Sequence, residues 1–566
     1  MTLNQALTVI NSRKGQGPKK IHFLACGFEP LHLSNLLRAH LFERLSGTDV
    51  ELRHGVYGDL RGNLDLATQS EAIAAAAVLE WSDLDPRLGL RASGGWSAAA
   101  KADILASLPA RIAQLEAALT PLGARMPVAI APPSLPLPPL GNTIDTQNSG
   151  FELELEAQLA TFLARLAQIP GLRIARCTSS EPRLDARMEL MAGFPYKLSF
   201  ASALAATLAQ VLWQTPPKKG LITDLDHTLW AGIVGEVGAD GVSWQQDSHT
   251  QLHGLYQQML GHLASMGVLL AVASKNEQST AEAALARPDL FLDARSLYPV
   301  IANWGPKSAS IAKILKTWNI APDAVVFLDD SPMELEEVQQ AFPEITCLPF
   351  PAKDPDKVLR LLSELRNHFG KPLLLEEDLL RQNSIRAAAQ LQNLGDAAHA
   401  PEFLSSLQGT VSFDWRRDPG GGRALELINK TNQFNLNGKR ISEGEWQRYM
   451  EEESTVCTVV SYQDKFGSLG RVAVLLGSRN GEELRVSHWV MSCRAFSRKI
   501  EHHTLQGLFA QSGIERIAFD LEVTPRNQPL LETLAPLGLS ANQVTLTRND
   551  FLARCGALPH QNSLGD

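Results

Sequence analysis

Two carboxylates two residues apart stand directly after a short apolar run in GLITDLDHTLWAG, which places Asp224, Asp226 and Thr228 at one strand end. Such a pair can hold a hard cation and attack phosphorus. Asp224 is the expected nucleophile, forming an aspartyl phosphate, and Asp226, two residues on and facing the same way, is the expected shuttle for the proton of the leaving group or water. Mg2+ would screen the repulsion between the charges. Alone the string is weak, because two carboxylates and a Thr after a strand also suit a turn that caps the next helix.

Three later strand ends change that reading. VLLAVASKN delivers Ser274, NWGPK delivers Lys307, and AVVFLDDS delivers Asp329 and Asp330. Each has a task in phosphoryl transfer: Thr228 and Ser274 as hydroxyls for the phosphate oxygens, Lys307 as an ammonium for developing charge, and Asp329 and Asp330 to complete a metal site with Asp224 and Asp226. The order of these pieces resembles the haloacid dehalogenase (HAD) superfamily of phosphatases and phosphotransferases.

The elements that must position these groups are those of a soluble multidomain chain. Its 566 residues suffice for about three domains, and 44% hydrophobic with 20% charged residues is a globular composition. A formal net charge of -9 argues against nucleic acid or an anionic membrane as partner. No apolar stretch reaches membrane-spanning length and the N-terminus lacks a signal-like pattern, so a cytoplasmic location is expected. Six cysteines, at 26, 177, 347, 457, 493 and 555, lack C-x-x-C spacing, which suggests thiols rather than a zinc site or disulfide framework.

Residues 1–215 alternate short apolar runs with amphipathic segments, the pattern of a parallel α/β sheet. IHFLACG, VAIAPPS and LRIARCT read as strands, and Leu33 to Leu45, Ala110 to Leu119 and Leu153 to Ala167 as helices. This domain looks similar to SGNH-hydrolase-like folds, yet its first strand leads into GFEPLHL rather than a Gly-Asp-Ser nucleophile turn, and no D-x-x-H stands near its end. A non-hydrolytic scaffold or recognition role is expected, with His32 and Asp59 as capping or turn residues.

Residues 216–372 carry the phosphatase-like unit. The 46 positions from Thr228 to Ser274 must hold the turn, the GIVGEVGADGV flap and one helix, which leaves nothing for a lid domain. A lidless site is expected to accept a macromolecule or to be covered by a neighbouring domain. A helical connector, 373–407, leads to an α+β domain at 408–566.

That last domain has two unusual strings. From Asn429 to Arg440, NKTNQFNLNGKR holds four Asn, one Gln, one Thr, two Lys and one Arg. It reads as a donor-rich surface for phosphate or an amide-bearing chain, with Lys430 and Gln433 as leading contacts, or as a hydrogen-bonded loop of turn-forming Asn. The second, HWVMSCRAFSRKIEHH, sets Cys493 between a strand ending near Met491 and a helix carrying Arg494, Arg498 and Lys499. A thiol there, among cations, has a nucleophile's environment, although free Cys is usually a small buried hydrophobe. Glu501 and His502 lie about two helical turns on, and His488, His502 and His503 compete as base.

Taken in order, DLDHTLWAGIVGE, ASKN, NWGPK, FLDDSP, NKTNQFN and MSCRAFSRKIE resemble the FkbH-like glyceryl transferase/phosphatases, from about Lys218 onward. The resemblance implies an α/β multidomain chain: an SGNH-like α/β first domain, a capless HAD-like Rossmannoid domain and a GNAT-like acyltransferase domain. It implies that 1,3-bisphosphoglycerate is dephosphorylated and a D-glyceryl group delivered, through a Cys493 thioester, to the phosphopantetheine thiol of an acyl carrier protein in polyketide-type biosynthesis. Asp224, Asp226, Ser274, Lys307, Asp329 and Asp330 match the phosphatase motifs, Cys493 the acyl-carrying thiol and Glu501 its acidic companion. Arg494, with Arg498 and Lys499, would steer an acidic carrier or bind substrate phosphates. Departures are His227 where Asn is common, Ala231 where Gly is usual, and AFSRKIEHH, which lacks the family's Gly. The alternatives are a stand-alone Mg2+-dependent phosphatase with accessory domains and a noncatalytic carrier-docking protein.

Overall fold

The computed structural model describes all residues except 93–95, 170, 372–373, 375–384, 386–400, 416–421, 432, 466, 493–494, 497, 511–512, 541 and 565–566. Two compact units divide the chain, Met1–Pro216 and Pro217–Asp566. The expected connector at 373–407 falls largely outside the described residues. No described helix is long and apolar enough to cross a membrane.

The first unit is built on five parallel strands, β1 (Lys19–Cys26), β2 (Asp49–His54), β3 (Ala74–Val78), β4 (Val128–Ala131) and β5 (Leu172–Ile174), in the order β2-β1-β3-β4-β5. The period-2 side-chain alternation divides β1 between two cores: Phe23 and Ala25 face one, Leu24 and Cys26 the other. Strand β3, AAAAV, is wholly buried. It carries few of the branched side chains by which strands are recognised, and small residues let helices approach both faces of the sheet centre. The helix expected at Ala110 to Leu119 runs over Ala98–Arg125 with Pro109 and Pro121 inside it. Its apolar stripe, Ile104, Leu108, Ile112, Leu115, Leu119 and Leu122, continues through Pro109 and outweighs the lost hydrogen bond.

The strand order reverses between β1 and β3, where an open α/β sheet has its crevice. Here structural carboxylates fill it. Glu80 accepts hydrogen bonds from Ser134 N and Oγ, Leu135 N and Tyr196 Oη. Asp83 Oδ2 accepts from Glu80 N at 2.7 Å, and a Cβ on Gly27 would lie 1.8 Å from Asp83 Oδ1. Asp59 caps the helix Leu60–Gln69 by accepting from Gly62 N, and His32 packs edge-on against Phe194.

The second unit contains two sheets. The first has five parallel strands, β6 (Gly220–Thr223), β7 (Leu269–Ser274), β8 (Leu297–Ala302), β9 (Val325–Asp329) and β10 (Thr346–Pro349), ordered β10-β9-β6-β7-β8. Strand β6 lies between β9 and β7, so its carboxyl end opens on the topological switch point. Between Thr228 and Ser274 stand the short helix Val234–Val237, a 3-10 turn, Gln246–Ser248, and the helix Gln251–Ser265, with no inserted domain.

The second sheet is mixed and eight-stranded: β11 (Thr410–Asp414), β12 (Phe434–Asn435), β13 (Thr455–Asp464), β14 (Gly467–Asn480), β15 (Glu483–Met491), β16 (Arg516–Phe519), β17 (Thr545–Thr547) and β18 (Gln561–Leu564). Strands β13, β14 and β15 form an antiparallel meander. Strands β15 and β16 pair in parallel only over Glu483–Val486. Where they part, β12 takes the edge of β15, pairing Phe434 with Met491 and Asn435 with Val490. Leu436 closes the gap, donating to Trp489 O and accepting from Glu522 N.

Candidate active site at the carboxyl ends of four parallel strands

The apolar runs of β6, β7 and β9 are completely buried, so each chain reaches the same sheet edge before its polar residues begin. Asp224 follows β6, Ser274 ends β7, Lys307 opens the helix Lys307–Trp318 after β8, and Asp329 ends β9. Glu337 receives the first amides of that helix, Lys307 N and Ser308 N, at 3.2 Å each, which fixes the lysine's backbone.

The Lys307 ammonium is buried at the centre. Nζ lies 3.0 Å from Asp224 Oδ1 and also pairs with Asp329 Oδ2 and Glu334 Oε2. Asp224, Asp329 and Glu334 each offer a carboxylate oxygen within 4.8 Å of the others. Lys275 Nζ holds the other Glu334 oxygen at 2.9 Å, and Ser331 N donates to Asp329 Oδ1 at 2.9 Å. Asp330 is half-buried beside them.

Asp226 is held by three donors. Its Oδ1 accepts from Trp230 Nε1 at 2.8 Å and Val234 N at 3.0 Å, and its Oδ2 accepts from Asn276 Nδ2 at 3.0 Å. The same Asn276 amide donates to Ser274 Oγ at 3.1 Å. His227 adopts a left-handed backbone, φ 54°, between the two aspartates and Thr228. The buried Thr228 Oγ1 has no hydrogen-bond partner, while its carbonyl faces His253 Nδ1 at 2.9 Å.

The electrostatics are those of a site short of positive charge. Burial raises the Asp224 and Asp330 carboxyls and pushes Asp329 up to about 7, where the Asp224 charge adds to the effect. Burial also works against the Lys307 ammonium, but Asp224 and Asp329 more than offset it and keep it protonated. At Glu334 burial is outweighed by the hydrogen bonds and charge of Lys307 and by Lys275, so this carboxyl sits below its ordinary range. Five carboxylates thus face two ammonium groups. Asp224 Oδ1 is buried and ion-paired with Nζ at 3.0 Å. A pocket with more carboxylates than cations fits a hard divalent cation.

The structure therefore gathers Asp224, Asp226, Thr228, Ser274, Lys307, Asp329 and Asp330 at one edge. It adds Asn276, Trp230, Lys275 and Glu334. Asn276 and Lys275 lie in the ASKN string itself. Glu334 resembles an ordinary acidic residue of a helix first turn, so nothing in the sequence marks it.

The last domain corrects several expectations. Asn435 and Asn437 are buried, and their amides serve the backbone: Asn437 Nδ2 donates to Ser487 O and Asp520 O, and Asn435 Oδ1 accepts from Asn437 N and Gly438 N. Lys430 is on the surface, paired with Glu426 at 2.8 Å, and Gln433 is exposed. Arg498 is buried against Asp464 at 3.2 Å, both 1% exposed, and is not available to steer a carrier. The helix begins at Ile500 rather than before Arg494, so Arg498 and Lys499 precede it. Glu501 lies in its first turn with His502 Nδ1 3.1 Å away. His503 is buried and stacked on His560, and His488 is buried beside Ser487 and Tyr449. Cys493 and Arg494 lie outside the described residues.

The fold has a counterpart among solved structures. The N-terminal part of the Bacteroides fragilis protein BF1531, described as containing a phosphatase domain complexed with Mg, matches 66% of this chain and 100% of its own, with 20% identity and TM-score 0.51. This chain shares the α/β fold of that protein over the matched part. An uncharacterized protein from Corynebacterium glutamicum matches 27% of this chain and 98% of its own at 14% identity, with TM-score 0.19, too low to inform the fold. No family model matches the sequence, and no curated protein does.

Proposed function

We propose that the Pro217–Asp566 unit is a Mg2+-dependent phosphatase of HAD type, coupled to acyl transfer by its last domain. The observation that carries this is the convergence of Asp224, Asp226, Ser274, Lys307 and Asp329 at adjacent strand ends. Asp224 attacks phosphorus while the bond from phosphorus to the leaving oxygen breaks, and Asp226 gives that oxygen a proton. Asp226 then takes a proton from water as it attacks the aspartyl phosphate, and Asp224 is released with inorganic phosphate. Ser274 and Lys307 bind the phosphoryl oxygens. Mg2+, held by Asp224 with Asp329 or Asp330, would supply the charge the carboxylates lack, as the metal reported for the Bacteroides protein suggests.

The finer reading is that of the FkbH-like family: an SGNH-like first domain without hydrolase chemistry, a capless HAD domain and a GNAT-like last domain. The substrate is 1,3-bisphosphoglycerate. The Cys493 thiolate attacks the acyl phosphate carbonyl, the carbon–oxygen bond to phosphate breaks, inorganic phosphate leaves, and a phosphoglyceryl thioester forms. The thiol of a phosphopantetheinylated carrier protein then takes the acyl group and frees Cys493. The remaining phosphomonoester is hydrolysed at Asp224. The filled crevice of the first domain, with Asp83 against Gly27, supports a non-hydrolytic role there.

Intact-protein mass spectrometry after incubation with 1,3-bisphosphoglycerate and Mg2+ tests the whole scheme, with Cys493→Ala and Asp224→Asn in parallel and a carrier chase. A glyceryl or phosphoglyceryl adduct that needs Cys493 and moves to the carrier is expected. Phosphate release dependent on Asp224 without any adduct would leave a stand-alone phosphatase.

A further inference from the structure

The Asn-rich string ends at a cavity. After Asn437 the chain turns at Gly438, φ 74°, and Gly438 and Arg440 form one wall of a space of about 180 Å³ whose other wall is Thr524, Pro525 and Arg526. Both walls are held in place. Arg440 Nη1 donates to Ile428 O at 2.6 Å and Thr431 O at 2.9 Å. The buried Asn527 ties one wall to the other: it accepts from Thr524 N at 2.9 Å and donates to Asn435 O at 3.1 Å and Glu522 O at 2.9 Å.

Among the described residues the lining is cationic and contains no carboxylate. Glu522, just before Thr524 in sequence, is paired with Lys439. Arg440 and Arg526 bring two guanidinium groups to this lining, and guanidinium groups bind the oxygens of phosphate. The volume is several times that of one water, about 30 Å³ in the liquid, enough for a phosphoryl group. The divergence between β15 and β16 that adjoins it is filled by β12 and the Asn437 amide, so a ligand here is recognised at the mouth of the gap rather than within it.

We propose that this cavity is a phosphate-binding subsite distinct from the Asp224 site, with Arg440 and Arg526 as its ligands. The phosphate belongs either to the phosphopantetheine arm of a carrier, a source that rests on the acyl-transfer reading above, or to a small phosphorylated acid.

Phenylglyoxal modification of the full chain, followed by peptide mass mapping, tests this. The reaction is run in EDTA, where the uncompensated carboxylates around Asp224 repel an anion. Inorganic phosphate is expected to slow modification of Arg526 and Arg440 by about tenfold at saturation, beyond any effect of NaCl at equal ionic strength. Equal rates with and without phosphate, or equal protection by NaCl, overturn the proposal. Arg526 is exposed, so Arg526→Gln should fold, and it should weaken phosphate protection of Arg440 about tenfold; undiminished protection in that variant also overturns it. Titration with 4′-phosphopantetheine and with 3-phosphoglycerate then separates the sources, the lower half-protecting concentration identifying the ligand. None of these measurements depends on turnover at Asp224, so failure of one reading leaves the other visible.

Discussion

Asn276 donates to Asp226 across the ends of two neighbouring strands, at 3.0 Å, with the same amide that reaches Ser274. Asp226 and Ser274 are therefore oriented by one side chain. Asn276→Ala should lower kcat of phosphate release about tenfold or more, within the range assigned to a misplaced general acid, while far-ultraviolet circular dichroism stays unchanged. Steady-state kinetics with a phosphomonoester and Mg2+ would check it; unaltered kcat would remove Asn276 from the positioning role.

Lys307 is the counter-ion of three carboxylates. Lys307→Met should cost about 3–5 kcal/mol, because it leaves buried charge uncompensated, and should abolish phosphate release. Millimolar Mg2+ should then restore more stability to the variant than it adds to the wild type, since a divalent ion can neutralise the same oxygens. Urea unfolding with and without Mg2+ gives the comparison.

In the first domain, pH should act through Asp83 and His22 in opposite directions. Burial pushes Asp83 from 3.8 up to about 7, and a carboxyl raised on folding adds stability that is complete below its unfolded value and lost as pH rises through 7. Burial lowers His22 from 6.5 to about 4, so its contribution is present above 6.5 and lost as pH falls toward 4. Asp83→Asn should therefore protect β1 and β3 at pH 8 relative to the wild type, by about 2 kcal/mol for a partly solvated carboxyl. At pH 4 the advantage should vanish. Hydrogen exchange by mass spectrometry, corrected for intrinsic rates, reads both strands directly.

The Arg498–Asp464 pair offers a fourth test. Asp464→Asn should destabilise the last domain by about 3–5 kcal/mol because it strands a buried guanidinium, and the double change Asp464→Leu with Arg498→Met should recover most of that loss. A double change as damaging as the single one would mean that Arg498 acts beyond this pair.

The site's main groups were legible because parallel strands deliver their carboxyl ends to one edge in chain order, so each polar residue after an apolar run declares its place. Asn276 and Trp230 stood in quoted strings, but their bonds to Asp226 depend on how two strand ends and the flap meet. Strand β3 escaped notice because alanines carry no strand signature. The Asn-rich string left two readings open for a physical reason: amides suited to a ligand suit an irregular backbone equally well, and Asn435, Asn437 and Asn527 bond carbonyls and amides of the surrounding backbone. Arg498 was likewise taken for a surface cation because nothing local reveals Asp464 on β13.

The bond from Val234 N to Asp226 sets a rule for remodelling this scaffold. Residues inserted between Thr228 and Val234 would lengthen the short circuit that the bond closes and pull the carboxylate out of line. At the exposed tip, Gly238 to Gly241, the backbone already turns with φ 75° at Gly238, and an insertion there leaves the circuit intact. Any lineage or designer that adds a cover to this platform has its splice point there.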